Sequence, residues 1–171
     1  MIGGMEARQI PDTRPGGSAI TAILLLLVSM VVLGGCGEKS AQSLFDRGAR
    51  ELQDGSYDEA IATYRKGLEL EPGSAVGHNL LGMAYRRKYN TIRATEWKEK
   101  EIEAFRKAVA SDSTYWPAQI NLGATLYYLG SKSEAAVHFQ RALELHPENP
   151  EREQLERFIR EGGGEVPGLD E

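Results

Sequence analysis

The chain has 171 residues, of which 41% are hydrophobic and 26% are charged, and its formal net charge is −5 at pH 7. This length supports one domain, and the apolar content suffices for one core once the apolar N-terminal run is set aside. The acidic balance excludes a general nucleic-acid binder, because such proteins neutralise phosphates with clustered Lys and Arg that dominate one face.

The N-terminal segment has the layout of a secretory signal peptide. An apolar run from Ala19 to Leu33 follows Arg8 and Arg14, and the small pair Gly34-Gly35 comes after it. A membrane-spanning helix needs roughly 20 apolar residues, so the run is short for a permanent span. The alternative, an uncleaved signal anchor, stays open because the two glycines could extend the run.

The only cysteine of the chain, Cys36, comes directly after this run in the order Leu33-Gly34-Gly35-Cys36. This order resembles the bacterial lipobox. The resemblance implies that a signal peptide of residues 1–35 is removed, that Cys36 carries acyl chains such as palmitate, and that residues 36–42 form a short tether. Three acyl chains, at ~0.8 kcal/mol per buried methylene, hold a protein at a membrane almost permanently. The alternative is a cysteine that follows a signal sequence by coincidence.

The residue after Cys36 indicates which membrane would hold the lipid. In bacterial lipoproteins an aspartate at this position retains the protein in the inner membrane, whereas this chain has Gly37. The resemblance therefore favours the outer membrane, with the domain in the periplasm of the cell envelope.

Two segments of the chain, 54–72 and 129–147, align without a gap. Both place a glycine, an alanine five residues later, an aromatic four later, a small residue three later, a Leu-x-Leu pair and a proline. This pattern resembles the second half of a tetratricopeptide repeat, and Leu81-Gly82 and Leu122-Gly123 supply the signature of the first half. The resemblance implies an all-α fold, a right-handed α-α superhelix of three helix pairs with a C-terminal capping helix.

The three repeats are predicted at 41–74, 75–115 and 116–149. The second differs from the family pattern, because it carries about seven residues more than the 34-residue repeat, at about 88–97. The helical spacing of Ile102, Phe105 and Val109 predicts a lengthened helix pair there instead of a loop. Glu101 stands where the pattern has a small residue.

A capping helix is predicted at 150–161, after the third repeat. Pro150 suits the start of a helix, and Leu155, Phe158 and Ile159 share one side of it. The tail from 162 to 171 is rich in glycine and acidic residues, and this composition predicts disorder.

The resemblance also implies a function, because the first helices of tetratricopeptide repeats line a concave groove that binds a protein or peptide. Carried over by repeat position, the groove residues are Phe45, Ala49, Leu52, Asn79, Met83, Arg86, Arg87, Ile120, Ala124, Tyr127 and Tyr128. We expect an acidic and apolar peptide, whose backbone Asn79 would bond and whose carboxylate Arg86 or Arg87 would pair.

Two alternatives bear on this groove. Its apolar members could pack against neighbouring helices, and the two arginines could be solvated. Family members that bind chaperone tails use a clamp of lysines, asparagines and an arginine. The lysines are missing here, which argues against a chaperone tail as the ligand.

The sequence predicts no enzyme, no cofactor and no metal site. The three histidines, at 78, 138 and 146, have no metal-ligand or acid-base companion at a meaningful spacing, and no phosphate-binding loop or nucleophile motif is present. By analogy at the level of the fold, we expect a membrane-anchored adaptor in envelope, pilus or secretion assembly. The alternative is an accessory subunit that positions a cell-wall or cytochrome-maturation enzyme.

Overall fold

The computed structural model describes residues 40–168. In this range the chain forms seven helices: α1 (Ala41–Gln53), α2 (Tyr57–Leu70), α3 (Ala75–Ile92), α4 (Thr95–Ser111), α5 (Trp116–Tyr128), α6 (Lys132–Leu145) and α7 (Arg152–Glu161). The predicted signal peptide, Cys36 and most of the tether lie outside the described residues.

The helices pack in chain order. α1 packs on α2, α3 on α4, and α5 on α6, while α7 packs on α6. The described residues contain helices and no strand, and this confirms the predicted all-α array of helix pairs. Within residues 40–168, no helix combines the length and the apolarity needed to cross a bilayer.

Each helix pair is held by the same contact, a glycine of the first helix against an aromatic ring of the second. A Cβ atom added to Gly48 would stand 2.5 Å from the ring of Tyr64. The equivalent contacts, at 2.6 and 2.8 Å, are those of Gly82 with Phe105 and Gly123 with Phe139. The small residue in the repeat pattern is therefore what lets two antiparallel helices approach, and the aromatic residue fills the space beside it.

The second pair is longer than its neighbours. Its helices have 18 and 17 residues, whereas the helices of the first and third pairs have 13 and 14. The inserted residues extend both helices, and the chain reverses between them at Arg93, whose φ is 61°. The first and third pairs reverse through Gly55 and Gly130, at φ values of 79° and 88°.

The C-terminal segment differs from its prediction. Residues 162–168 were expected to be disordered, but they fold back on α6 and α7. Gln140 donates a hydrogen bond to the carbonyl oxygen of Glu165 at 2.6 Å, Arg152 donates to that of Pro167 at 3.0 Å, and Val166 packs against the core. Glycine-rich composition permits this close backbone approach as well as disorder, so composition alone gave the wrong result. Residues 169–171 lie outside the described residues.

Candidate functional site

Phe45 was predicted to line the groove, but it belongs to the core. Its side chain is 2% exposed. A Cβ atom added to Gly67 or Gly77 would stand 2.5 Å from its ring, so the ring fills the space where α1, α2 and α3 meet. Phe45 therefore has no surface to offer a peptide.

Asn79 is also buried, and its amide already has partners. Its Oδ1 accepts a hydrogen bond from Nδ2 of Asn121 at 2.9 Å, and its Nδ2 faces the sulfur of Met83 at 3.8 Å. The predicted bond to a peptide backbone is therefore replaced by a link between α3 and α5. Asn121 was not predicted, because the carried-over groove positions do not include it.

Arg86 pairs a carboxylate, but the carboxylate belongs to the protein. Its Nε donates to Oε1 of Glu101 at 2.8 Å. Its Nη atoms donate to the side chain and the backbone oxygen of Asn121 at 3.0 and 2.9 Å, and to Oγ1 of Thr125 at 2.9 Å. The guanidinium also lies 4.8 Å from the centre of the Phe105 ring. The Arg86 side chain is 29% exposed, but its guanidinium is already engaged by these partners, and it joins α3 to α4 and α5.

Glu101 is the buried anion of this network. It is 0% exposed, and Lys98 donates to its second oxygen at 2.6 Å. Thr125 lies 2.8 Å from its first oxygen. A buried charge is tolerated only when it is paired and hydrogen-bonded, and both conditions are met here. The glutamate in place of a small residue is therefore accommodated by ion pairs with two cations.

Tyr127 joins the third pair to the capping helix. Its ring centre lies 4.2 Å from that of Phe158, and its hydroxyl group donates to the carboxylate of Glu161, which also pairs with Lys132. The hydrogen bond with Glu161 raises the pKa of Tyr127. Tyr127 therefore contacts α7 rather than an open groove.

The other predicted groove residues divide by exposure. Leu52, Met83, Ile120 and Ala124 are partly buried and pack against the two hydrophobic clusters, and Ala49 is partly buried as well. Arg87 is exposed, and Tyr128 is 76% exposed. The predicted set thus does not form one continuous open surface.

A cleft of about 390 Å³ opens between the second and third pairs, at the C-terminal ends of α3 and α5 and the start of α4. It includes three predicted groove residues, Arg86, Ala124 and Tyr128. The rest of its lining was not predicted and consists of Tyr89, Asn90, Arg93, Lys98, Glu101, Thr125 and Leu129.

The charge of the cleft is opposite to that of the molecule. Its lining has three cations, Arg86, Arg93 and Lys98, and one carboxylate, that of Glu101. The guanidinium carbon of Arg93 lies 5.6 Å and the Nζ atom of Lys98 lies 4.3 Å from the centre of the Tyr89 ring. The Tyr89 ring thus contacts two cations of the cleft, in a chain whose net charge is −5.

Arg93 and Lys98 were missed because the family pattern assigns roles only to positions that it contains, and Arg93 lies in the insertion while Lys98 directly follows it. One signal was available in the sequence. Lys98 precedes Glu101 by three residues, a spacing that puts two side chains on one face of a helix. The other cation of the pair, Arg86, is 15 residues from Glu101 and could not be found in this way.

Within residues 40–168, no group of three or more His, Cys, Asp or Glu side chains is placed to hold a metal ion.

The sequence matches two family descriptions. Residues 48–88 match the family "TPR repeat", and residues 116–149 match "Tetratricopeptide repeat". The matches lie on either side of 89–115, the range that contains most of the insertion and all of α4.

The chain is similar to Tetratricopeptide repeat protein 33 of Homo sapiens, with 31% identity over 121 residues, and to that of Mus musculus, with 32% over 117. These matches cover 71% and 68% of this chain but 43% and 42% of the relatives, so the chain spans about two fifths of their length.

The structure is similar to the first TPR domain of Spaghetti (RPAP3) bound to the HSP90 peptide SRMEEVD. The TM-score is 0.62 at 27% identity, covering 74% of this chain and 95% of that one. The second TPR domain of human RPAP3, in complex with the HSP70 peptide SGPTIEEVD, gives 0.58 at 25% identity, covering 73% and 96%.

Proposed function

We propose, starting from the tetratricopeptide repeats that this chain contains, that it is an adaptor that binds a peptide segment of a partner protein while a lipid on Cys36 holds it at a membrane. The repeats make it a protein–protein interaction domain. The partner, the lipid and the cell envelope as its location are the parts that we propose.

The cleft between the second and third pairs is the observation that carries the proposal. It combines cations with an exposed aromatic ring, Tyr128, and an exposed aliphatic side chain, Leu129. Interfaces are enriched in such aromatic and arginine side chains, because they provide both apolar contact area and directional hydrogen bonds. The Spaghetti domain that resembles this chain is bound to a short acidic peptide, which supports a peptide as the ligand.

The membrane anchor is supported by the sequence. The apolar run, the small pair and Cys36 stand in the order of a lipobox, and helix α1 begins only five residues after Cys36. A chain of five residues reaches at most roughly 17 Å. A lipid on Cys36 would therefore keep the helical array next to the bilayer, as we propose for a periplasmic adaptor of the outer membrane.

A photo-cross-linking experiment in living cells tests the binding part of the proposal. A cross-linking amino acid at position 128 should capture one defined partner, because the Tyr128 side chain is open to solvent in the cleft. The matched control is position 137 on α6, where Val137 is similarly open at 61% exposure but does not line the cleft.

The captured protein decides between two functions. Components of an envelope, pilus or secretion assembly support the adaptor, whereas a cell-wall or cytochrome-maturation enzyme supports an accessory subunit. If position 128 captures nothing that position 137 does not also capture, the cleft is not a binding site.

Mass spectrometry of the purified chain tests the anchor. We expect a mature N-terminus at Cys36 that carries three acyl chains. A chain that retains residues 1–35 would contradict the cleavage, and an unmodified Cys36 would contradict the lipid.

A further inference from the structure

We infer that the turn of the second helix pair and the end of α5 form a carboxylate-binding subsite, in which Arg93 holds an acidic side chain of the partner peptide beside Lys98, and Tyr128 and Leu129 contact an apolar neighbour. This inference rests on the proposed function, because it names the chemistry of the peptide that the cleft binds.

The charges of the cleft are the first argument. The single carboxylate, Glu101, is shared between Arg86 and Lys98 at 2.8 and 2.6 Å. Arg93 has no carboxylate partner in the part of the chain that the structure describes, and its guanidinium rests only on the Tyr89 ring. The cleft is thus short of negative charge, and a ligand carboxylate would supply it.

The placement of the cations is the second argument. Arg93 and Lys98 both contact the Tyr89 ring, at 5.6 and 4.3 Å from its centre, so the two like charges lie within about 10 Å of each other. A carboxylate beside both would relieve their repulsion. Because 18% of the Lys98 side chain is exposed, its charge is partly shielded from water, and the attraction is stronger than at an open surface.

The backbone at Arg93 is the third argument. Arg93 is the only residue other than glycine with a positive φ among the described residues, and the equivalent reversals of the other two pairs use glycine. A left-handed conformation is less favourable for an arginine than for a glycine, because of the Cβ atom. The second pair therefore carries a strained arginine where the equivalent turns of the first and third pairs carry a glycine. This difference fits a role in binding.

The apolar part of the ligand follows from the residues at the end of α5 that line the same cleft. Tyr128 and Leu129 are 76% and 51% exposed there. An acidic side chain and an apolar side chain close together in a peptide would match both the cations and these two side chains.

Peptide binding to the full chain in a non-ionic detergent tests the inference. The probe is a fluorescein-labelled short peptide of alternating leucine and glutamate, and its control is the same peptide with glutamine. We expect the glutamate peptide to bind about tenfold more tightly at low ionic strength and to lose this advantage as salt is added.

Arg93→Gly is the decisive variant, because it removes the cation and leaves a residue that accepts a positive φ. We expect it to weaken binding of the glutamate peptide about fivefold and to leave that of the glutamine peptide unchanged. Arg93→Lys should retain most of the affinity. Lys66→Gln removes one exposed cation of α2, outside the cleft, and should leave both affinities unchanged.

Equal binding of the glutamate and glutamine peptides would overturn the inference, as would an Arg93→Gly variant that binds like the parent chain. Binding of the full chain to anionic vesicles with no binding to either peptide would overturn it too, since the cations would then serve a lipid surface. In each of these cases, capture of a partner through position 128 would still support the proposed function.

Discussion

The three helix pairs differ at one position of their second helix. The first and third pairs bury an alanine there, Ala60 or Ala135, whereas the second pair buries Glu101. All three side chains are 0% exposed. The alanines allow close packing and need nothing else. The glutamate requires Arg86, Lys98 and Thr125 as partners. The outer pairs therefore show what the repeat needs to fold, and the second pair shows what this chain adds to it.

The turns show the same contrast. Gly55 and Gly130 reverse the outer pairs without strain, whereas Arg93 reverses the second pair in a left-handed conformation. The buried glutamate and the left-handed arginine are both departures from the repeat, and both line the cleft.

Replacing the buried glutamate is expected to have the largest effect. Glu101→Ala gives the second pair the alanine of its neighbours, but it leaves Arg86 and Lys98 without their carboxylate. We expect a loss of about 3 kcal/mol in the free energy of unfolding, measured by urea denaturation.

The double variant Arg86→Met with Glu101→Ala is the control, since it removes the stranded arginine as well. It should recover most of the loss, because apolar replacements of a buried ion pair are often neutral or stabilising. A Glu101→Ala variant as stable as the parent chain would show that the ion pairs are not needed for packing.

Tyr64 offers a smaller change of the opposite sign. Its ring occupies the position of Phe105 and Phe139, but its buried hydroxyl has no hydrogen-bond partner. We expect Tyr64→Phe to stabilise the chain by about 1 kcal/mol, because an unsatisfied buried hydroxyl costs free energy.

The same residue predicts a dependence on pH. Burial and the nearby charge of Glu51 raise the pKa of Tyr64 from 10.0 to about 12. The folded state thus favours the neutral phenol, so its contribution to stability is complete below pH 10 and is lost as the pH rises to 12. The difference in stability between parent and Tyr64→Phe should widen in this range, and a constant difference would contradict the raised pKa.

The turns give the smallest effects. Gly55 has a φ of 79° and open space around its Cβ position, so Gly55→Ala tests conformation alone and should destabilise by about 1 kcal/mol. Arg93→Gly should stabilise by about 0.5 kcal/mol, because the relief of left-handed strain outweighs the added freedom of the unfolded chain. Thermal melts of the two variants should shift in opposite directions. A shift in the same direction would mean that Arg93 is not strained.

The fold could be predicted because its cause is local and repeated. The glycine of one helix and the aromatic residue of the next recur in each pair, so spacing in the sequence reports a contact in space. The tail from 162 to 168 could not be predicted, because its order depends on side chains such as Gln140 and Arg152 that belong to other helices.

The cleft could be predicted only in part, because some of its contacts join residues that are far apart in the sequence. Repeat positions identified Arg86, Ala124 and Tyr128, which line it. They misplaced Phe45, because a position in the pattern does not state how deeply a side chain is buried. They also missed the hydrogen bonds from Arg86 to Asn121, which is 35 residues away. Arg93 was missed because it has no counterpart in the pattern.

An NMR titration of the full chain with the leucine–glutamate peptide tests most directly whether the second pair carries the binding function. The account predicts that the largest shifts fall on Arg93, Lys98, Tyr89 and Tyr128, and that the residues of the first pair stay unchanged. Shifts centred on the first pair, or spread evenly over all three, would contradict it.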